Sequence, residues 1–320
     1  MREDRVGPWV VVAPRSTRAA LRPLTSAHQR TRDVVVRHPK SLPAYDEWQR
    51  LVPSGASGVL LLGDRRRSPT TALPGLFVPD ADGRPVPAGW VPAVADLSHF
   101  VATAVAVLDR REAAPIAVLG QRSQRYQRLS DRLVHHLGAS EALRWGAERI
   151  TREDVVAGLG SGLGAAVYLG HGRPSGWAAY RGMRAVHLSS LAAQPLGALV
   201  SVTCWTASRW RVGTSFAEEV VLSGAAAASV GAVRPVLHLD TTRIVVGLAH
   251  GWRTGADDIA GLLSSAFLDS AGLPTPEASQ FRLCGDPLAR VSGVTGASMR
   301  ARAVFAPAPS WSPKTAGVAS

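Results

Sequence analysis

Short apolar runs bounded by turn residues alternate with stretches of helical periodicity over most of the chain, and no other feature narrows the fold as much. Residues 58–63, 116–119, 165–169, 199–203 and 225–233 have the length and composition of buried strands. Between them apolar residues recur at three- and four-residue intervals: Leu97, Phe100, Val101, Ala104, Val105 and Leu108, then Tyr126, Leu129, Leu133 and Leu137. Thr151 and Asp154 have the spacing of a capping box at the start of another helix. Further helices are expected over 44–52, 214–223, 240–252 and 256–271, and a last strand over 280–284. Strands buried on both faces and joined by helices predict an α/β fold with a mostly parallel central sheet flanked by helices. Residues 1–30 carry few signals, 33–37 reads as a short strand, and 68–92, rich in proline and glycine, reads as a long loop.

The chain has 320 residues and a formal net charge of +12. Such a field attracts acidic partners and invites a nucleic-acid reading. Against that reading, all 36 basic residues except Lys40 and Lys314 are arginine, alongside abundant Ala, Val and Gly, and no recognition motif accompanies the charge. The apolar run 9–13 is too short for a signal-peptide core, and no apolar stretch approaches bilayer length. A cytoplasmic protein with no membrane partner is expected, its two cysteines, Cys204 and Cys284, being separate thiols.

Two strands end in reactive residues. The run 165–170 leads into His171-Gly172, and the run 199–203 leads into Cys204. Ligands of open parallel sheets bind outside the carboxyl ends of the strands. A thiol and an imidazole projecting there suit acyl transfer: the imidazole takes the thiol proton and returns it to the leaving amine. Gly172 lets its N–H approach a substrate carbonyl and, with the Cys204 N–H, form an oxyanion hole.

Four segments in order then resemble clan CD cysteine peptidases, the group of caspases, metacaspases, separase, gingipains and CHAT domains. Tyr168-Leu169-Gly170-His171-Gly172 is similar to their Gly-His-Gly segment, and Ser201-Val202-Thr203-Cys204 to their nucleophile strand. Ser215-Phe216-Ala217-Glu218-Glu219, followed by the small-residue strand from Gly224, and Arg282-Leu283-Cys284-Gly285-Asp286-Pro287 resemble gingipain and CHAT patterns. The resemblance, over about 115–291, implies a caspase-like three-layer sandwich, endopeptidase activity on a protein substrate, no organic cofactor, and His171 and Cys204 as the dyad. It also suggests a place in bacterial signalling or defence and an activating partner protein.

The chain departs from the pattern where relatives that cut after basic residues carry an acid two before the nucleophile; here that position is Val202. Family specificity pockets draw on the loop after the first core strand, here Gln121 and Arg122, and on the segment after the strand following the nucleophile, here Arg234. Arg122 and Arg234 are candidates to receive an acidic residue, and Trp177 and Trp205 to line the cleft. The group that orients His171 is not assigned. Residues 1–112 form an N-terminal region, either an inactive first half or an extension of the same sheet; 113–291 form the peptidase core, and 292–320 a tail expected to be disordered. One continuous catalytic unit is favoured. The alternatives are a non-catalytic interaction module of the same fold and a basic nucleic-acid-binding protein.

Several other features point nowhere specific. The glycine-rich stretch 158–164 lacks the Lys-Ser/Thr ending of a phosphate loop and precedes a strand instead of following one. His135-His136 has no matched set of metal ligands. The run Arg65-Arg66-Arg67 reads as a solvated loop.

Overall fold

The computed structural model describes residues 7–66, 73–111, 114–137, 142–188 and 194–291. The strands are β1 (Trp9–Val12), β2 (Val34–Arg37), β3 (Gly58–Gly63), β4 (Phe77–Pro79), β5 (Pro85–Pro92), β6 (Ile116–Gly120) and β7 (Ala142–Gly146), then β8 (Ala165–Leu169), β9 (Gly172–Arg173), β10 (Gly176–Trp177), β11 (Leu196–Val202), β12 (Ala226–Ala232) and β13 (Phe281–Gly285). The helices are α1 (Arg18–Gln29), α2 (Trp48–Leu51), α3 (Ser98–Asp109), α4 (Gln124–Leu137), α5 (Arg152–Leu159), α6 (Phe216–Leu222), α7 (His238–Arg253) and α8 (Ile259–Phe267).

Among the described residues the sheet runs β2-β1-β3-β5-β13-β12-β11-β8-β6-β7, with β4 beside β5. Pairing is parallel along this path except between β12 and β13. The expected α/β architecture, a mostly parallel sheet between helices, is therefore the observed one. In β6, β8 and β11 the two-residue alternation divides the side chains between two cores. Val118, Val167, Val200 and Val202 join α3, α4, α7 and α8 in one cluster. Leu119, Tyr168 and Leu199 join α5 and the start of α6 in the other.

The N-terminal signals are weak for physical reasons. β1 is four residues long but wholly buried. α1 opens without an acidic residue or side-chain cap and contains Pro23, so its formation rests on burying Leu21, Leu24, Ala27 and His28. The expected loop over 68–92 is corrected: β4 and β5 lie within it, and β5 is an interior strand. Successive N–H groups of a strand point to opposite sides, and Ala88 N–H donates to Leu76 O on the β4 side. The missing N–H groups of Pro85 and Pro87 thus face away from β4, and β5 pairs with β3 and β13 only from Ala88 and Gly89 onward. The tail 292–320 lies outside the described residues. No described helix is long and apolar enough to cross a membrane.

Candidate active site

β8 and β11 pair with Leu169 beside Val202. Two residues further along each chain, His171 and Cys204 leave the same edge of the sheet on strands about 4.8 Å apart. Leu169 and Val202 face the side on which α4 packs. Thr203 Oγ1 donates to Gly170 O at 2.7 Å and ties the two exits together. The fit demands glycine at 172, where a Cβ would lie 2.4 Å from Cys204 O and 2.7 Å from Thr203 Cγ2.

His171 is exposed and its backbone is held from two directions. Its N–H donates to Gln121 Oε1 at 2.7 Å. Its carbonyl accepts from Tyr168 OH at 3.0 Å and from Ala178 N–H at 2.9 Å. Tyr126 of α4 sets its ring edge-on to the imidazole, with centroids 5.5 Å apart and planes at 87°. The helical pattern showed Tyr126 facing inward but carried no signal for this contact. Cys204 is partly exposed, and its Sγ accepts Val236 N–H at 3.2 Å, a second partner without a sequence signal. Cys284 is the opposite kind of thiol: burial in β13 pushes it well above its ordinary value, which removes its nucleophilicity.

The remaining candidates divide. Gln121 touches His171 as described, and Arg122 is exposed on the bend after β6. Arg234 is exposed two residues before Val236. Trp205 is partly buried with φ 66°, its ring 5.8 Å from that of Trp210. Trp177, expected to line the cleft, does not: its side chain is buried, stacked 4.3 Å from Tyr168, with Nε1 donating to Ser201 Oγ at 2.9 Å. It supports the strands from behind because β10 turns that residue inward. Among the described residues no group of three or more His, Cys, Asp or Glu could hold a metal ion.

This fold, with the expected segments in order, is that of a clan CD cysteine peptidase. The chain belongs to peptidase family C25, whose model matches residues 121–292. Among solved structures it is similar to gingipain R, an Arg-specific cysteine proteinase, with a TM-score of 0.65 at 13% identity over 92% of this chain and 81% of that one. A structure described as a protease has a TM-score of 0.66 at 14% identity, over 90% and 79% of the two chains. The complex of the pro- and mature domains of RgpB from Porphyromonas gingivalis has a TM-score of 0.64 at 13% identity, over 90% and 81%. No curated protein matches the chain by sequence.

Proposed function

We propose that this protein is a cysteine endopeptidase in which Cys204 attacks the scissile carbonyl and His171 moves the proton. One observation supports the assignment: β8 and β11 end in register, with exposed His171 and partly exposed Cys204 each two residues past the last pair, Leu169 and Val202. The Cys204 sulfur, its proton passed to His171, adds to the carbonyl carbon and generates an oxyanion. The N–H groups of Gly172 and Cys204 are the proposed donors to that oxygen; losing one such donor costs about 10²–10³ in rate. Collapse breaks the C–N bond, and His171 protonates the departing amine. Water then adds to the thioester with His171 as base, releasing the acid and restoring the thiol.

Residues 7–291 act in this proposal as one continuous catalytic unit, the N-terminal strands extending the catalytic sheet. Gln121, Arg122, Trp205 and Arg234 are proposed to contact substrate. The two arginines, on either side of the dyad's strands, would receive an acidic residue, and exposed Leu237, next to Val236, would add an apolar rim. A cytoplasmic setting, a bacterial signalling or defence role and control by a partner protein complete the proposal.

The test uses peptidyl acyloxymethyl ketones carrying different P1 residues, with cleavage of a matched peptide library. Native protein should label at one thiol per chain, with Cys284 reacting only after unfolding. Cys204→Ala should lose labelling and all cleavage while keeping its unfolding transition. Retained cleavage by Cys204→Ala would sink the assignment, and cleavage confined to Arg or Lys would remove the roles given to Arg122 and Arg234.

A further inference from the structure

Directly after His171 the chain forms the β9–β10 hairpin, which begins at Gly172, and then returns along it to Arg184. Gly176 faces Arg173 on one side and Arg184 on the other, both antiparallel. Residues opposite one another in antiparallel strands project to the same side. The two arginines therefore flank a position with no side chain, about 10 Å apart across two strand spacings. No side chain can fill that gap: a Cβ on Gly176 (φ 140°) would lie 2.0 Å from Met183 O.

This row forms one wall of a cavity of about 530 Å³, to which Arg152, Arg181 and His187 also contribute. Arg181 enters from a turn in which Tyr180 and Arg181 hold φ values of 54° and 57°. Left-handed backbone is unfavourable for ordinary residues, so the surrounding structure must hold this turn. Tyr180 OH, donating to Trp145 O at 2.6 Å, helps to hold the turn.

The cavity concentrates positive charge: four arginines line it and no carboxylate does, although Glu153 nearby acts on Arg152 and Arg181. Arg173, Arg181 and Arg184 are exposed, and among the described residues none has a carboxylate within ion-pair distance. The neighbouring Glu153 is engaged by Arg152 at 3.2 Å. Partial burial, and after it the charges of Arg152 and Arg184, press the His187 imidazole below its ordinary value. Guanidinium forks inside a concavity bind carboxylates as well as phosphates two bonds at a time, and a peptide substrate offers the former. Arg173 is only two residues from His171, about 7 Å of extended chain.

We propose that this arginine-lined cavity is an accessory binding site for an acidic segment of the protein substrate, rich in Asp and Glu, which it holds beside the scissile bond. Its role in substrate capture rests on the peptidase assignment, but binding itself is measurable without catalysis.

Fluorescence anisotropy of a labelled octapeptide of Asp and Glu, titrated with Cys204→Ala protein, tests the site. Adding Arg173→Glu with Arg184→Glu should weaken binding by at least about tenfold, the scale of two lost charge-assisted contacts. The same charge change on the exposed face of α1, Arg18→Glu with Arg22→Glu, should weaken it less than about twofold. Arg173→Gln with Arg184→Gln, a milder change that guards against misfolding, should weaken it several-fold. Equal losses from the cavity pair and the α1 pair would reduce the effect to bulk charge and overturn the site. So would an oligonucleotide of equal charge that binds more tightly than the peptide through the same arginines. Should the wild type bind the peptide yet resist the ketone probes, the acidic-segment site stands and the peptidase assignment falls.

Discussion

The backbone of His171 is fixed by hydrogen bonds, whereas its ring meets Tyr126. Among the described residues no carboxylate is hydrogen-bonded to the imidazole; in the proposed mechanism the orienting part is assigned to the aromatic edge and to the bonds around residue 171. Aromatic pairs of this geometry contribute about 0.5–1.5 kcal/mol beyond burial. Tyr126→Ala should therefore lower kcat by about two- to tenfold with little change in KM, while Tyr126→Phe, which keeps the ring, should stay near wild type. Peptide turnover and a parallel unfolding curve check this; equal losses in the two variants would show that the ring contact does not orient the imidazole. The exit of His171 and Cys204 from neighbouring strands was legible in the sequence because each follows a strand directly, a short-range signal. Tyr126 was not, because helical spacing reports that a side chain faces inward and not which ring it meets. Trp177 misled for a related reason: closeness in sequence to His171 says nothing about which face of a two-residue strand a side chain takes.

The segment between Cys204 and α6 is irregular, with left-handed backbone at Trp205 and Arg211, and Glu218 anchors it. The carboxylate closes the capping box of α6, accepting Ser215 N–H at 3.0 Å and Ser215 Oγ–H at 2.9 Å. It also accepts Trp90 Nε1–H from β5 at 2.9 Å and pairs with the Arg209 guanidinium. Arg209 in turn donates to Arg65 O, so the run expected to be a solvated loop begins as a brace. Burial alone would raise the Glu218 carboxyl, but the bonds and charge of Arg209, the Ser215 N–H and the Trp90 indole outweigh it and hold it below the ordinary range. Breaking such a pair from one side costs about 3–5 kcal/mol. Glu218→Ala should lose that much in urea unfolding and slow turnover through the loosened Cys204 segment. Glu218→Gln, which keeps the shape, should lose less. With the folded value depressed, this contribution is complete above the unfolded value near 4.5 and fades as pH falls through the folded one. The helix itself, expected over 214–223, was legible locally. The bond to Trp90 was hidden because prolines in 68–92 disguised an interior strand as a loop.

At the scale of the molecule, the sheet consists of two parallel blocks of opposite direction that meet where β12 and β13 run antiparallel. The chain crosses between the blocks twice: the single helix α3 joins β5 to the oppositely directed β6, and α7 and α8 together join β12 to β13. Helix number therefore does not set the reversal, although α7 and α8 were readable in the sequence. The join across the molecule was not: His28 of α1 meets Asp286 of the closing segment at 2.9 Å, both buried, with Trp9 stacked 4.0 Å from the His28 ring. Close by, Asp258 caps α8, its Oδ1 accepting Gly261 N–H at 2.9 Å. Exclusion from water is the first cause that raises this carboxyl, with smaller pushes from Asp257 and Asp286; the Gly261 N–H and Arg32 oppose it, and the result is about 6 against an ordinary 3.8. Between those two values the folded protein holds a proton that the unfolded chain has lost. Stability therefore falls as pH rises across that window and is flat in this respect above about 6. Asp258→Asn keeps an oxygen for the cap and removes the titration. Relative to wild type it should gain about 1–2 kcal/mol at pH 7.5, a figure below the full shift because the residue retains some contact with solvent. The gain should shrink toward zero near pH 4. Urea unfolding of both proteins at intervals from pH 4 to 8 measures the difference directly; if the two stability curves run parallel throughout, Asp258 is not the group that bends them.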